Sequence, residues 1–308
     1  MPTAAKQHKE RSTSQGYAEQ NYSIMKIILT LLCRDEDDIL ESMLRFHLAN
    51  GVDHIIATDN GSVDRSVNIL QRFKKLGKLQ LIQEKEHNHD QAVWVTRMAR
   101  LAAEQGADWV INSDADEFWW PTSGNLKNIL EQIPPHISAC NVNRTNFLPP
   151  PRNTSVRQPF YMKQDLRERV SYNSLGQELP PKVIHRGHKN ITISDGNHSA
   201  SHEGKLLMTI PCNGIEILHW PIRSYSQLER KIRQGTEALE RNTRVDSGVG
   251  HAWRNLYHNH LIEGSLSNYY DGLRPNDGEI TKMLKRGELI RDKRLQRALR
   301  RSPSWLPW

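Results

Sequence analysis

Residues 107–121, ADWVINSDADEFWWP, join a short apolar run to paired carboxylates and then to aromatics. Trp109 to Asn112 has the continuous apolar character of a strand buried on both faces of a parallel sheet. It runs into Ser113-Asp114-Ala115-Asp116-Glu117, followed by Phe118, Trp119, Trp120 and Pro121. Two carboxylates two residues apart leave a strand end on the same side. There they can share one hard divalent cation, which takes carboxylates together with water and phosphate oxygens. A solvated acidic turn is the bland alternative, but such a turn has no reason to continue into three aromatics.

The same unit, strand then polar cluster, repeats upstream. Residues 24–33 are apolar apart from Lys26 and lead into Arg34-Asp35-Glu36. A helical pattern follows through Ile39, Leu40, Met43, Leu44 and Leu48, with an acidic first turn that suits a helix start and Asn50-Gly51 as its stop. His54 to Thr58 forms a second strand and ends in the turn signal Asp59-Asn60-Gly61-Ser62. A helix through Val67, Leu70 and Phe73, a strand at 79–83 and a helix at 91–105 complete the run to Trp109. Residues 25–117 therefore predict β-α-β-α-β-α-β, an α/β fold whose mostly parallel sheet is flanked by helices. Ligands of such sheets bind beyond the carboxyl ends of the strands. The clusters at 34–36, 59–62, His89-Asp90 and 114–116 all fall on that edge.

After Pro121 the pattern loosens. A helix is expected at 125–133, strand-like pieces at 138–147, 156–163, 182–186, 191–194, 206–211 and 214–219, and a helix at 225–242. Helical segments at 251–301 are broken by Gly264, Gly272, Pro275 and Gly287. This gives a polar, aperiodic and disordered arm over 1–23, one α/β domain over 24–235 and a helical, basic extension over 236–308.

The chain has 308 residues, with 42 Lys and Arg against 35 Asp and Glu, a net charge of +7. Residues 282–301 alone hold nine cations and two acids, so the rest of the chain is neutral. That distribution excludes a nucleic-acid-binding reading from net charge. The longest apolar run is too short to span a bilayer and lacks the form of a secretion signal. Cys33, Cys140 and Cys212 lie far apart in sequence, without metal-ligand spacing or a disulfide framework. A cytoplasmic location is expected from them.

VDHIIATDNGSVDRS (52–66), His89-Asp90-Gln91 and ADWVINSDADEFWWP together resemble the nucleotide-sugar glycosyltransferases of the GT-A fold. Within these they are similar to a family-2-like group whose Asp-x-Asp extends to Asp-x-Asp-Glu-Phe. TLLCRDEDDILESMLRFHLANGVDHI (30–55), PPKVIHR (180–186) and ILHWPIRSYSQLERKIRQG (217–235) resemble further blocks of that group. The resemblance covers roughly residues 25–235. It departs from the better-known family-2 pattern in having no Glu-Asp or Gln-x-x-Arg-Trp signature after residue 130.

The resemblance implies a transfer that depends on manganese or magnesium, from a nucleotide-sugar donor to a glycan or lipid-linked acceptor. Arg34, Glu36, Asp59 and Asp90 would line the nucleotide pocket. Asp114 would hold the ribose or the metal, and Asp116 the metal on the diphosphate. Lys182 and Arg223, with Arg186 and Lys231, would neutralise the diphosphate. His198 or His219 would supply a late metal ligand, since imidazole serves manganese as well as zinc. Glu117, Asp195 and Glu203 are the candidate catalytic carboxylates, with Asp165 also in the acceptor half. Two rival functions are a non-catalytic binding protein on the same fold and a nucleotidyltransferase. The latter normally has a glycine-rich phosphate loop after its first strand, where this chain has Arg34-Asp35-Glu36-Asp37-Asp38. The tail, with Ile280, Met283, Leu284, Ile290, Leu295 and Leu299 among its cations and Trp305 and Trp308 at its end, has two readings. It is an amphipathic segment lying peripherally on the anionic inner membrane face, or a helix packed on the catalytic domain.

Overall fold

The computed structural model describes residues 25–84, 90–155, 158–173, 176–241 and 250–300. The arm at 1–23, His89 and the terminal tryptophans Trp305 and Trp308 lie outside the described residues. The first half runs β1 (Ile27–Cys33), α1 (Leu40–Ala49), β2 (His54–Asp59), α2 (Ser66–Lys75), β3 (Leu79–Gln83), α3 (Gln91–Glu104) and β4 (Trp109–Asp114). It continues through β5 (Glu117–Pro121), α4 (Leu126–Leu130), β6 (Ala139–Val142), β7 (Arg144–Asn146), α5 (Phe160–Lys163), β8 (Leu166–Glu168) and β9 (Lys182–Arg186). Next come β10 (Ile191–Ile193), β11 (Ala200–His202), β12 (Lys205–Leu206), β13 (Thr209–Pro211) and β14 (Ile215–His219).

The central sheet has seven strands in the order β13-β6-β9-β4-β1-β2-β3. β1 to β4 are mutually parallel, and β9 is antiparallel to both β4 and β6. This is the mixed, mostly parallel α/β arrangement, GT-A-like, that the sequence predicts. β1 lies in the middle, and its seven residues are buried but for one half-buried position; Thr30, its one polar residue, donates to Asn112 at 2.8 Å. Register sets the functional edge: Cys33 lies beside Asp59, and Leu32 beside Asp114.

A second sheet, β5-β14-β7, places His219 between Glu117 on one side and Asn146 on the other. The aromatics after Asp116 belong to its core. Phe118 and Trp119 are fully buried, and Trp220 stacks on Phe147 with ring centroids 3.9 Å apart and meets Phe118 edge-on at 5.2 Å. The acidic turn is thus anchored by packed rings directly behind it.

His47 ties α1 to β5 through a neutral ring. Nδ1 donates to the Met43 carbonyl at 2.9 Å, and Nε2 accepts the Trp119 N–H at 3.1 Å. A proton on Nε2 would set two donors against each other. Burial accordingly lowers the pKa of His47 from 6.5 to about 4, and does the same to His185. The unfolded chain takes up these protons as pH falls below 6.5, while the folded chain does so only near 4. Stability is therefore lost across that window as pH falls, by about 3 kcal/mol per histidine. Urea midpoints measured from pH 7 to 4.5 are expected to fall, and His47→Leu to remove one histidine's share of the slope. An unchanged slope in that variant would contradict the assignment.

The structure departs from the sequence reading in the second half. The stretch expected as a strand at 156–163 holds the short helix α5, which Pro159 starts by fixing its own φ; residues 156–157 lie outside the described residues. α6 (Tyr225–Arg241) runs straight through the expected boundary at 235. After α7 (His251–Leu256), a π-helical turn at 257–262 and α8 (Leu266–Gly272), the chain forms α9 (Asp277–Arg286), β15 (Leu289–Arg291) and α10 (Arg294–Arg300). β15 was expected as helix. Gly287, at φ 73°, ends α9, and the next residues pair with β8. Leu295 and Leu299 join the main core, and Ile280 packs with Leu148, Leu166 and Leu289. Ile280, Leu295 and Leu299 are thus buried in the protein, and Met283, Leu284 and Ile290 half-buried, as the packed-helix reading expects for 277–300. Among the described residues no helix is long and apolar enough to cross a membrane.

Candidate active site

Asp114 ends β4, and the chain turns through Ala115 and Asp116 into β5. The turn, rather than strand alternation, therefore sets how the two carboxylates face each other. Asp114 Oδ2 accepts from Lys182 Nζ at 2.6 Å, and Oδ1 from Asn197 Nδ2 at 3.4 Å. Asp116 Oδ2 accepts from Lys231 Nζ at 2.7 Å, and Arg223 Nη1 stands 3.9 Å away. Asp116 Oδ1 faces His219 Nε2 at 3.4 Å. Asp114 and Asp116 thus have different lysine partners, while their carboxylates still repel one another across the turn.

Arg223 is the hub of the Asp116 network and is 1% exposed. It donates to Glu36, to Asp38 at 2.8 and 2.9 Å, and to the Trp220 carbonyl at 3.2 Å. Burial alone would raise the Asp116 carboxyl, but Lys231, His219 and Arg223 outweigh it and hold Asp116 well below the ordinary carboxylate range. Burial raises Glu36 against the pull of Arg223 and Lys231.

In the second network Lys182, also 1% exposed, bridges Asp114 and Glu117 at 2.6 and 3.1 Å, with Arg144 at 3.6 Å from Glu117. Burial would lower the Lys182 amine, yet the two carboxylates raise it. Glu117 has zero exposure and accepts the Asp114 N–H at 3.3 Å. It positions Lys182 and Arg144 and cannot reach an acceptor, which corrects its reading as a catalytic base.

The other side of the edge is built around Asp35, held at φ 53°. Its carboxylate accepts from the N–H groups of Val63 and Asp64 at 2.7 and 3.2 Å and from Gln234 at 2.6 Å, while Arg230 reaches its carbonyl at 3.0 Å. These bonds bind the end of β1 to the loop after β2 and to α6, and they over-determine a conformation that otherwise costs energy. Asp59 is buried at the end of β2. Its Oδ2 accepts the Ser62 N–H at 3.2 Å, and its Oδ1 has no hydrogen-bond partner. Arg34 Nε is likewise buried without one. Orphaned polar atoms at a sheet edge suit a polar ligand. Asp59→Ala is expected to weaken a free nucleoside monophosphate and the full donor alike, by about tenfold each. A change in stability alone, with nucleotide affinity intact by calorimetry, would make Asp59 a turn residue only.

Other expected residues fall elsewhere. Asp90 occupies the N-cap of α3, and the exposed Asp195 accepts the Ala92 N–H at 3.2 Å in the first turn of that helix. Glu203 sits on the exposed β11–β12 turn, where Asn190 reaches it at 3.4 Å. Neither Asp195 nor Glu203 joins the Asp114 or Asp116 network. Asp165 pairs with Arg291 at 2.8 Å. His198 Nδ1 is tied to the Pro181 carbonyl at 2.9 Å, and burial lowers its pKa; it does not meet Asp116. Arg186 donates to the Ile137 carbonyl at 2.9 Å, away from both networks. Asp38, Arg144, Asn146 and Asn197 were not singled out from sequence, because long-range packing alone brings them in.

Among the described residues no group of three or more His, Cys, Asp or Glu side chains is arranged to hold a metal. The pair Asp116–His219 nevertheless has the right character. His219 Nδ1 and Asn146 Oδ1 lie 2.7 Å apart, and Nε2 faces Asp116, which it helps to hold ionised. A divalent cation bound there would replace the Nε2 proton between the two side chains, the rest of its shell coming from water or phosphate oxygens.

No curated protein matches the chain. Among solved structures, S. aureus TarS 1–349 is similar over 85% of this chain and 78% of its own, at 11% identity and a TM-score of 0.37. Glucosyl-3-phosphoglycerate synthase from Mycobacterium tuberculosis, in complex with phosphoglyceric acid, is similar over 42% of this chain at 14% identity and a TM-score of 0.28. The chain spans half the length of that synthase, 50%. The profile of glycosyltransferase family 92 matches residues 35–247, from the loop after β1 through the Asp116, His219 and Arg223 blocks. The motifs suggested a family-2-like group, and the match is to family 92 instead. The chain belongs to glycosyltransferase family 92.

Proposed function

We propose that the protein transfers a sugar from a nucleotide-sugar donor to a hydroxyl of a glycan or lipid-linked acceptor, at the edge where Asp59, Asp114 and Asp116 meet. The observation that carries this reading is the pairing of His219 with Asp116 at 3.4 Å beside the buried Arg223 and the half-buried Lys231. Asp116 and His219 would hold a manganese or magnesium ion, which supplies Lewis-acid stabilisation to the departing diphosphate. Arg223 and Lys231 add fixed positive charge at the same place. Both are set before the donor arrives, so they cost no reorganisation as charge develops. Arg34, Glu36 and Asp59 face the nucleoside, and Lys182 keeps Asp114 ionised beside them. Cys33, Cys140 and Cys212 are buried free thiols, in keeping with a reducing cytoplasm.

Calorimetry with uridine diphosphate, with and without manganese, tests the pair. His219→Ala is expected to remove the manganese-dependent part of the affinity and to leave metal-free binding unchanged. Equal manganese dependence in variant and wild type would rule His219 out.

A further inference from the structure

We infer that a cavity next to the donor edge binds an anionic group, a carboxylate or phosphate, carried by the saccharide acceptor. This inference rests on the donor-site reading above. The cavity measures about 520 Å³ and lies between α1, α5 and α6. That is within the range of small-molecule sites.

Not every cation on its wall has an ion-pair partner. Of five lining cations, three are committed: Arg45 to Glu41 at 2.7 Å, Arg65 to Asp37 at 2.9 Å and Arg223 to Asp38 at 2.8 Å. The remaining two, Lys163 and Arg230, have no carboxylate partner among the described residues. Lys163 makes only a long bond to the Ser155 carbonyl at 3.4 Å, and Arg230 spends one N–H on the Asp35 carbonyl at 3.0 Å. Lys163 and Arg230 feel Asp38 only at longer range, so the cavity wall carries two cations free to meet an anion. An anion there would gain charge-assisted hydrogen bonds from these cations. Ser224, Ser226 and Tyr161 on the same wall offer hydroxyls to the rest of a saccharide.

Position assigns this anion to the acceptor. The shared wall is Arg223, whose other edge stands 3.9 Å from Asp116. A molecule in the cavity is thus one guanidinium away from the donor's diphosphate. The diphosphate has its own cations on the far side, with Lys231 at 2.7 Å from Asp116.

The test titrates the full-length protein, saturated with uridine diphosphate and manganese, with glucose 6-phosphate, glucuronate and glucose, read by ligand-observed NMR. At least one anionic sugar is expected to bind about tenfold or more tightly than glucose, and the better of the two distinguishes phosphate from carboxylate. Lys163→Gln should lose that advantage while binding uridine diphosphate as the wild type does; a matching melting temperature confirms its fold. Glucose binding as tightly as both anions, an anion affinity unchanged in Lys163→Gln, or displacement of the anion by uridine diphosphate would each overturn the inference. Failure of the wild type to bind uridine diphosphate would instead overturn the donor-site reading on which it rests.

Discussion

Arg223→Met is expected to lose about 3–5 kcal/mol of stability, because it strips a buried charge from three carboxylates at once. Glu36, Asp38 and Asp116 all lie on that guanidinium, which also reaches the Trp220 carbonyl. Methionine fills much of the volume and supplies none of the donors. In thermal melts the loss corresponds to a drop of roughly 10 °C for a domain of this size. Arg223→Lys should rescue little, since one ammonium cannot replace a fork that serves several partners. Donor affinity should fall in both variants, measured at a temperature where each is folded. A fully stable Arg223→Met protein would show that the carboxylates are solvated or protonated rather than held by Arg223.

Asp116→Asn is expected to lower manganese-dependent donor affinity by at least about 100-fold, since ligand losses exceed those of outer-shell partners. From sequence alone this substitution looks harmless to the fold, as a change at a strand end. The structure changes that expectation: Asp116 is 3% exposed and carries Lys231 at 2.7 Å, so removing its charge should also cost stability, about 3 kcal/mol. The two effects separate in Asp116→Asn combined with Lys231→Met. Removing both partners should restore much of the stability and leave donor affinity lost. If the double variant regains donor binding as well, the loss in the single variant was one of folding, and Asp116 is not a ligand.

Much of this architecture was legible in the sequence. The β-α repeat over 25–117 follows from periodicity, and the location of the edge follows from four polar clusters that each succeed an apolar run. Periodicity reports local geometry, and the failures occur where long-range packing decides. The two-residue spacing of Asp114 and Asp116 suggested their nearness, but not that each would have its own lysine partner. Glu117 read as a candidate base because it is charged and adjacent, whereas its pairing opposite His219 buries it completely. The tail read as a possible membrane stripe because its apolar spacing is the same whether the partner is lipid or the protein's own core. Only the contacts of Leu295, Leu299 and Ile280 separate those cases. His219 and Arg223 were found through a motif that packs them against Asp116, about a hundred residues earlier in the chain.

The central claim is that this edge binds a nucleotide sugar through a cation held at Asp116 and His219. A thermal-shift panel of nucleotide sugars, each with and without manganese, tests it most directly on the full-length chain. At a hundredfold its dissociation constant, one donor with manganese should add about 2.7 kcal/mol of stability, and that gain should vanish when manganese is withheld or in Asp116→Asn. A panel in which no nucleotide sugar shifts the melting temperature, or in which the shift is the same without manganese and in Asp116→Asn, would contradict the account.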